Sequence, residues 1–380
     1  MEVADLDTLE TPALLLDKGK AAANAQRLRD RLAAHGVAQR PHVKTAKNVD
    51  VVRMAFAEGR GPITASTLAE AEHFFAAGFT DIVYAVGLAP VKLPRIEALV
   101  RKGCDLKVIL DNPEAATALS QYCARRDVRI AALIEIDTDD HRAGVRPGDP
   151  ALVEVARRLE ASGSSLLQGV LTHAGTSYSS RSVEEMEAWA ERERSLTVAA
   201  AESLRAAGFR VPTVSVGSTP TALFGRGFDG VTEVRAGVHF FFDLVMVGLS
   251  VCTTEDVAIS VLTSVIGHQA AKGLLITDSG WMALSGDRGT AKQKVDQGYG
   301  QVCDTRGLPI EDLVVADANQ EHGIVSRRGG GPLDVTRFPV GTKLRILPNH
   351  ACATGAQHSL YHVVDGDERI VGEWPRVNGW

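Results

Sequence analysis

The run "RPHVKTAKN", Arg40 to Asn48, ends a short β-prone stretch on a lysine, Lys44. Lysine is seldom buried unless something pairs with it or uses it. An amine held in an apolar mouth can form a Schiff base with a carbonyl compound. Farther along, "VSVGSTPTA" presents Gly217, Ser218 and Thr219. Small residues with accessible backbone N–H groups and hydroxyls suit a phosphate. A Schiff-base lysine with a phosphate cradle suggests pyridoxal phosphate. In "LTHAGTSY", His173 could then stack on or bond to the ring, and Tyr178 could supply a hydrogen bond. A third group is "PNHACAT", with His350 and Cys352. In a strand, residues two apart point to the same side, so imidazole and thiolate can meet at one divalent metal. Zinc is favoured by that donor set, and two protein ligands leave positions open to water or substrate. Taken singly, each feature has a plainer reading: a surface lysine, an ordinary turn, a satisfied rim residue, a chance His-x-Cys.

These groups need elements to carry them. Short β-branched runs occur at 40–44, 62–66, 81–86, 106–110, 131–137, 166–174, 212–218 and 232–238. Helix-forming stretches lie between most of them, several with a cap residue before and glycine after. Alternation of this kind implies parallel strands with helical crossovers. The count predicts an α/β fold, a (β/α)8 barrel, with a doubly wound sheet as the alternative. In a barrel, functional groups sit at the C-terminal strand ends. Those ends offer His42, Lys44, Glu135, Asp137, Arg142, His173, Gly217, Ser218, Thr219, Arg235 and Gly237. After about residue 245 the pattern becomes β-rich, broken by Gly, Pro and Asp, without convincing helices. It predicts a second, mostly antiparallel β-domain. The run "TPALLLD" (11–17) is a spare strand that could join it. The expected domains are 18–244 for the barrel, and 1–17 plus 245–380 for the β-domain with the metal pair.

Bulk properties narrow the function. The 380 residues carry a net charge of −6, with 45% hydrophobic and 23% charged residues. No basic stripe marks a nucleic-acid surface. The apolar runs are too short to span a bilayer, and the acidic N-terminus does not read as a signal peptide. A cytoplasmic protein without membrane contact is expected. Five scattered cysteines argue against a disulfide framework.

Together "RPHVKT", "EIDTDDHRAGV", "THAGTSY", "VSVGSTPTA", "EVRAGVHFFFD", "NQEHGIV" and "PNHACAT" resemble, over nearly the whole chain and in order, the fold-type III pyridoxal-phosphate enzymes of the D-serine dehydratase and D-threonine aldolase superfamily. The resemblance implies an alanine-racemase-like barrel followed by a β-domain, working as a homodimer. It implies that Lys44 is the Schiff-base lysine and that Gly217, Ser218 and Thr219 hold the phosphate. His173 and Tyr178 would lie against the pyridine ring, Arg142 near the cofactor, and His350 and Cys352 on a divalent metal: zinc, or alternatively manganese or magnesium. The aldolase branch looks like H-x-D with a glycine-richer loop. H-x-C and "GSTPT" therefore point to the dehydratases, lyases that convert D-threo-3-hydroxyaspartate or D-serine to a 2-oxo acid and ammonia. The alternative is a metal-dependent aldolase giving glycine and an aldehyde. A racemase, a non-catalytic cofactor carrier and a metal-sensing protein are weaker rivals.

Overall fold

The computed structural model describes residues 5–163, 166–366 and 368–380. Positions 1–4, 164, 165 and 367, which the expected domain ranges include, lie outside them. The chain divides into two compact units. One holds Gln26–Gly237 with Gly379–Trp380, the other the stretch up to Ala25 with Val238–Asn378. Strand β1 (Ala13–Asp17) belongs to the second unit.

The first unit holds β2 (Ala38–Gln39), β3 (Ile63–Ala65), β4 (Asp81–Gly87), β5 (Asp105–Leu110), β6 (Ala131–Ile136), β7 (Leu167–Thr172), β8 (Thr213–Val216) and β9 (Glu233–Val234). They pair in the order β2-β9-β8-β7-β6-β5-β4-β3, all parallel. A parallel bridge between His42 and Thr64 joins the two ends of that order. The Val43 N–H donates to the Thr64 carbonyl at 2.8 Å, and the Thr64 N–H donates to the Pro41 carbonyl at 2.9 Å. The sheet is therefore closed, as the barrel reading requires and the doubly wound alternative does not. Strand β6, AALIEI, is buried along its length, as expected for a strand covered on both faces.

Polar groups enter this interior as paired ions, the form in which charge can be buried. Arg40 donates to Glu233 at 2.7 Å and to Asp81 at 2.7 Å, and Lys107 donates to Asp81 at 2.8 Å. Glu233 accepts the Ser215 hydroxyl at 2.7 Å, and Arg235 donates to that hydroxyl at 2.6 Å and to the Thr172 carbonyl. This chain of bonds stops one residue short of His173.

The second unit adds β10 (Ile259–Gln269), β11 (Leu274–Thr277), β12 (Gln301–Cys303), β13 (Pro309–Ala318), β14 (Gly323–Arg327), β15 (Lys343–Leu347), β16 (Leu360–Val364) and β17 (Ile370–Pro375). The run β11-β14-β13-β12-β15-β10 closes on itself through β10–β11. Every pairing in that ring is antiparallel. Strand β1 lies antiparallel to β10 on one side and parallel to β16 on the other. The spare N-terminal strand thus completes this sheet. The expected lack of helices is corrected: short helices occupy Leu244–Gly248, Trp281–Leu284 and Ala351–Gly355. They are too short to show a helical period in the sequence.

Candidate active site

In the barrel unit, the strand expected at 40–44 is regular only over Ala38–Gln39 and continues as single bonds, Arg40 N–H to Val234 and His42 N–H to Ala236. Pro41 has no N–H to extend a ladder. Lys44 accordingly lies in the turn beyond the strand, with its side chain exposed at the barrel's rim. His42 is half-buried beside it. Its Nδ1 accepts the Lys44 N–H at 3.4 Å, and its Nε2 faces the Ser66 hydroxyl at 3.3 Å. Burial first, then the charges of Lys44 and Arg235, hold this imidazole well below its ordinary pKa.

His173 follows β7. Its Nδ1–H donates to the Gly217 carbonyl at 3.0 Å, which leaves Nε2 as the free acceptor. Burial, then the nearby Lys44 charge, lowers its pKa to about 3, with Arg235 and Arg142 adding to the effect. The imidazole is therefore neutral at neutral pH. The Tyr178 ring stands 6.2 Å from the His173 ring, tilted by 43°. Arg142 is exposed and reaches back to Glu135 at 3.2 Å. The structure thus brings Lys44, His42, His173, Tyr178 and Arg142 to one rim.

Gly217, Ser218 and Thr219 form the turn after β8. Gly217 has φ +135°, and a Cβ there would strike the Arg235 carbonyl oxygen. Ser218 caps the helix Thr219–Phe224, exchanging bonds with Thr221. Its hydroxyl also meets that of Ser177 at 2.9 Å. Thr219 Oγ1 is buried without a hydrogen-bond partner among the described residues. A buried hydroxyl without a protein partner has bonding capacity that a ligand can use. A phosphate is such a ligand, so this turn fits the phosphate of a pyridoxal cofactor.

One contributor was missed in the sequence. Glu193, in the helix Val183–Ala206, is 2% exposed. Its Oε1 accepts the N–H groups of Ala174 at 3.0 Å and Gly217 at 3.1 Å. Burial pushes its carboxyl pKa up, against those bonds and one from Thr221. The signal was present: the buried stripe of that helix runs Met186, Ala190, Glu193, Thr197, Ala200, Leu204, and a glutamate sits where an apolar residue belongs.

In the other unit, the pair expected on a strand is on a helix terminus. His350 is the N-cap residue of Ala351–Gly355, and Cys352 lies in its first turn. The two side chains still meet. His350 Nδ1 pairs with Asp287 Oδ2 at 2.7 Å. Burial disfavours the imidazolium, but its hydrogen bonds to Asp287 and Cys352 outweigh that and raise the pKa to about 11. Asp243, buried, accepts the Ala351 N–H at 2.9 Å and fixes the turn. The metal-free His350 ring is thus an imidazolium; a metal would have to displace the proton on Nε2, with Asp287 on Nδ1 supplying the carboxylate–histidine arrangement that orients a ligating ring. No group of three or more His, Cys, Asp and Glu suited to a metal occurs among the described residues. The donor set is thus one imidazole and one thiolate, which fits a borderline divalent ion with open positions.

This fold and these sites define an alanine-racemase-like enzyme architecture. The alanine racemase N-terminal domain family matches residues 16–244, and a serine dehydratase domain matches 258–364, so the chain belongs to that family. It is 54% identical to the D-threo-3-hydroxyaspartate dehydratase of Delftia sp. (strain HT23), over 98% of both chains. It is 30% identical to the D-serine dehydratase of Dictyostelium discoideum, over 99% of this chain and 98% of the other. A solved D-threo-3-hydroxyaspartate dehydratase, a cysteine-to-alanine mutant in the metal-free form, matches with TM-score 0.97 and 54% identity, covering 99% of this chain and 100% of that one. No helix among the described residues is long and apolar enough to cross a membrane.

Proposed function

We propose that this chain is a dehydratase, a carbon–oxygen lyase dependent on pyridoxal phosphate and a divalent metal. It converts a D-3-hydroxy amino acid, D-threo-3-hydroxyaspartate first and D-serine second, to a 2-oxo acid and ammonia, and it works as a cytoplasmic homodimer. The observation that carries the reading is the His350–Cys352 pair, braced by Asp287. A racemase or a cofactor carrier has no use for it. The 54% identity to a dehydratase supports the choice, and the metal-free cysteine mutant of that enzyme supports Cys352 as a ligand. Zinc suits the donors best, with manganese and magnesium as alternatives.

When bound, the pyridoxal group acts as an electron sink for the pair left on Cα. Lys44 would anchor it, and the Lys44 amine would take the α-proton. Gly217, Ser218 and Thr219 would hold its phosphate, and His173 and Tyr178 would lie against its ring. Neutral His173 keeps its Nδ1–H on Gly217 and adds no cation beside the pyridine. Arg142, paired with Glu135, contributes positive charge at the rim. Hydroxide is a poor leaving group, and a metal at His350 and Cys352 would assist its departure as a Lewis acid. Loss of Cα–H and Cβ–OH as water leaves an enamine, which tautomerises, takes up one water and yields the 2-oxo acid and ammonia.

The test is a panel of D- and L-3-hydroxy amino acids assayed for 2-oxo acid and for glycine, with and without chelator. Only D-substrates should give 2-oxo acid. Chelation should stop the reaction while the cofactor's visible absorbance persists, and zinc or manganese should restore it. Lys44→Ala should lose the absorbance. Glycine and aldehyde as products would establish the aldolase instead.

A further inference from the structure

We propose that Glu193 is a positioning residue: a buried carboxylate that ties the chain after β7 to the chain after β8 and thereby sets the shape of the phosphate turn. Its Oε1 takes the N–H of Ala174 at 3.0 Å and of Gly217 at 3.1 Å, so one atom fixes the separation of the two loops. The adjoining bond runs the opposite way, from His173 Nδ1–H to the Gly217 carbonyl at 3.0 Å. Both polar groups of the Gly217 peptide positions are thus committed. A hydroxyl contact between Ser177 and Ser218 at 2.9 Å closes the same seam. Thr219 Oγ1, one residue on, is left orphaned. With Gly217 pinned, Thr219 is the group with bonding capacity to spare.

A packing role alone does not account for Glu193. Burying a carboxylate costs free energy that Leu or Met at the same place in the stripe would not. The cost is offset only if its acceptor bonds are needed where they fall. Glu193 touches backbone on both sides of the cradle and acts through it. The inference rests on the reading of Gly217–Thr219 as the cradle of the cofactor's phosphate.

The experiment compares binding of pyridoxal 5'-phosphate and of pyridoxal, which lacks the phosphate, to cofactor-stripped native protein and to Glu193→Gln and Glu193→Asp, by absorbance titration. Gln keeps an oxygen at the right reach without the charge. Asp keeps the charge but falls one methylene short. The native protein should prefer the phosphorylated form. Glu193→Gln should keep that preference within about threefold, and Glu193→Asp should lose at least about tenfold of it, as for a lost hydrogen bond to a charged group, with pyridoxal binding little changed. A native-like preference in Glu193→Asp, or an equal loss for both ligands, overturns the positioning role. A preference lost in Glu193→Gln does the same, since charge and not reach would then be at work. A native protein with no preference sinks the cradle reading itself.

Discussion

His173 is neutral because of where its ring is held, and that has a measurable cost in acid. Its pKa falls from an ordinary 6.5 to about 3, through burial and the Lys44 charge. The unfolded chain therefore binds a proton that the folded one refuses between those values. Stability contributed by the neutral ring is full above about pH 6.5 and is lost as pH falls toward 3. In cofactor-free protein, His173→Phe should flatten the decline of Tm between pH 6.5 and pH 4 by a few degrees. His42, shifted the same way, keeps part of the slope. An unchanged slope would show that the ring titrates normally. Lys44 and Glu193 contrast as residues. Lys44 stood out because a lysine ends a β-prone run. Glu193 was hidden in "WAERERS", where acidic and basic residues look like a solvated helix face until the stripe is counted.

At the scale of elements, the proposed site residues Lys44, His173 and Gly217 lie just past strand ends. Gly217→Ala tests one of these positions. The left-handed φ of +135° and the Arg235 carbonyl both oppose a side chain. The substitution should cost about 3 kcal/mol or more and abolish cofactor retention. Gly267→Ala, with open space around it, should stay within about 0.5 kcal/mol. Chemical denaturation of the two variants checks the contrast. The barrel strands were legible because each is a β-branched run bounded by caps and glycines. Barrel closure was not, since it depends on one bridge, His42–Thr64, that no local pattern encodes. The His350–Cys352 geometry was read on the wrong element. Pro348 and Asn349 end β15 early, and Asn349 spends its side chain on Thr290 at 2.9 Å and Gly298 at 2.6 Å. The pair met anyway, because a cap residue and the second residue of a helix are also near neighbours.

At the scale of the molecule, the β-unit is discontinuous in sequence, with β1 wedged between β10 and β16. Removing the chain through Asp17 strips the partner from one edge of each neighbour. The edges of β10 and β16 become unpaired, which invites association. Such a variant should aggregate on heating and melt at a lower temperature, read by light scattering and calorimetry. Native Tm without aggregation would mean that β1 is dispensable. The spare strand was visible as "TPALLLD", but its two neighbours lie more than 240 residues away and could not be inferred from it.

The position of β1 also sets an order of events during synthesis. The strand leaves the ribosome more than 240 residues ahead of its antiparallel partner β10 and more than 340 ahead of its parallel partner β16 (Leu360–Val364). At roughly 5–20 residues per second, the interval is on the order of tens of seconds. Until β10 has been made, "ALLLD" is an apolar β-segment with no edge to join, while the barrel, whose strands are consecutive in sequence, can fold behind it. The nascent chain therefore carries an unsatisfied strand while more than 240 residues are added. That makes the segment around Ala13–Asp17 the expected landing place for a chaperone that shields hydrophobic segments.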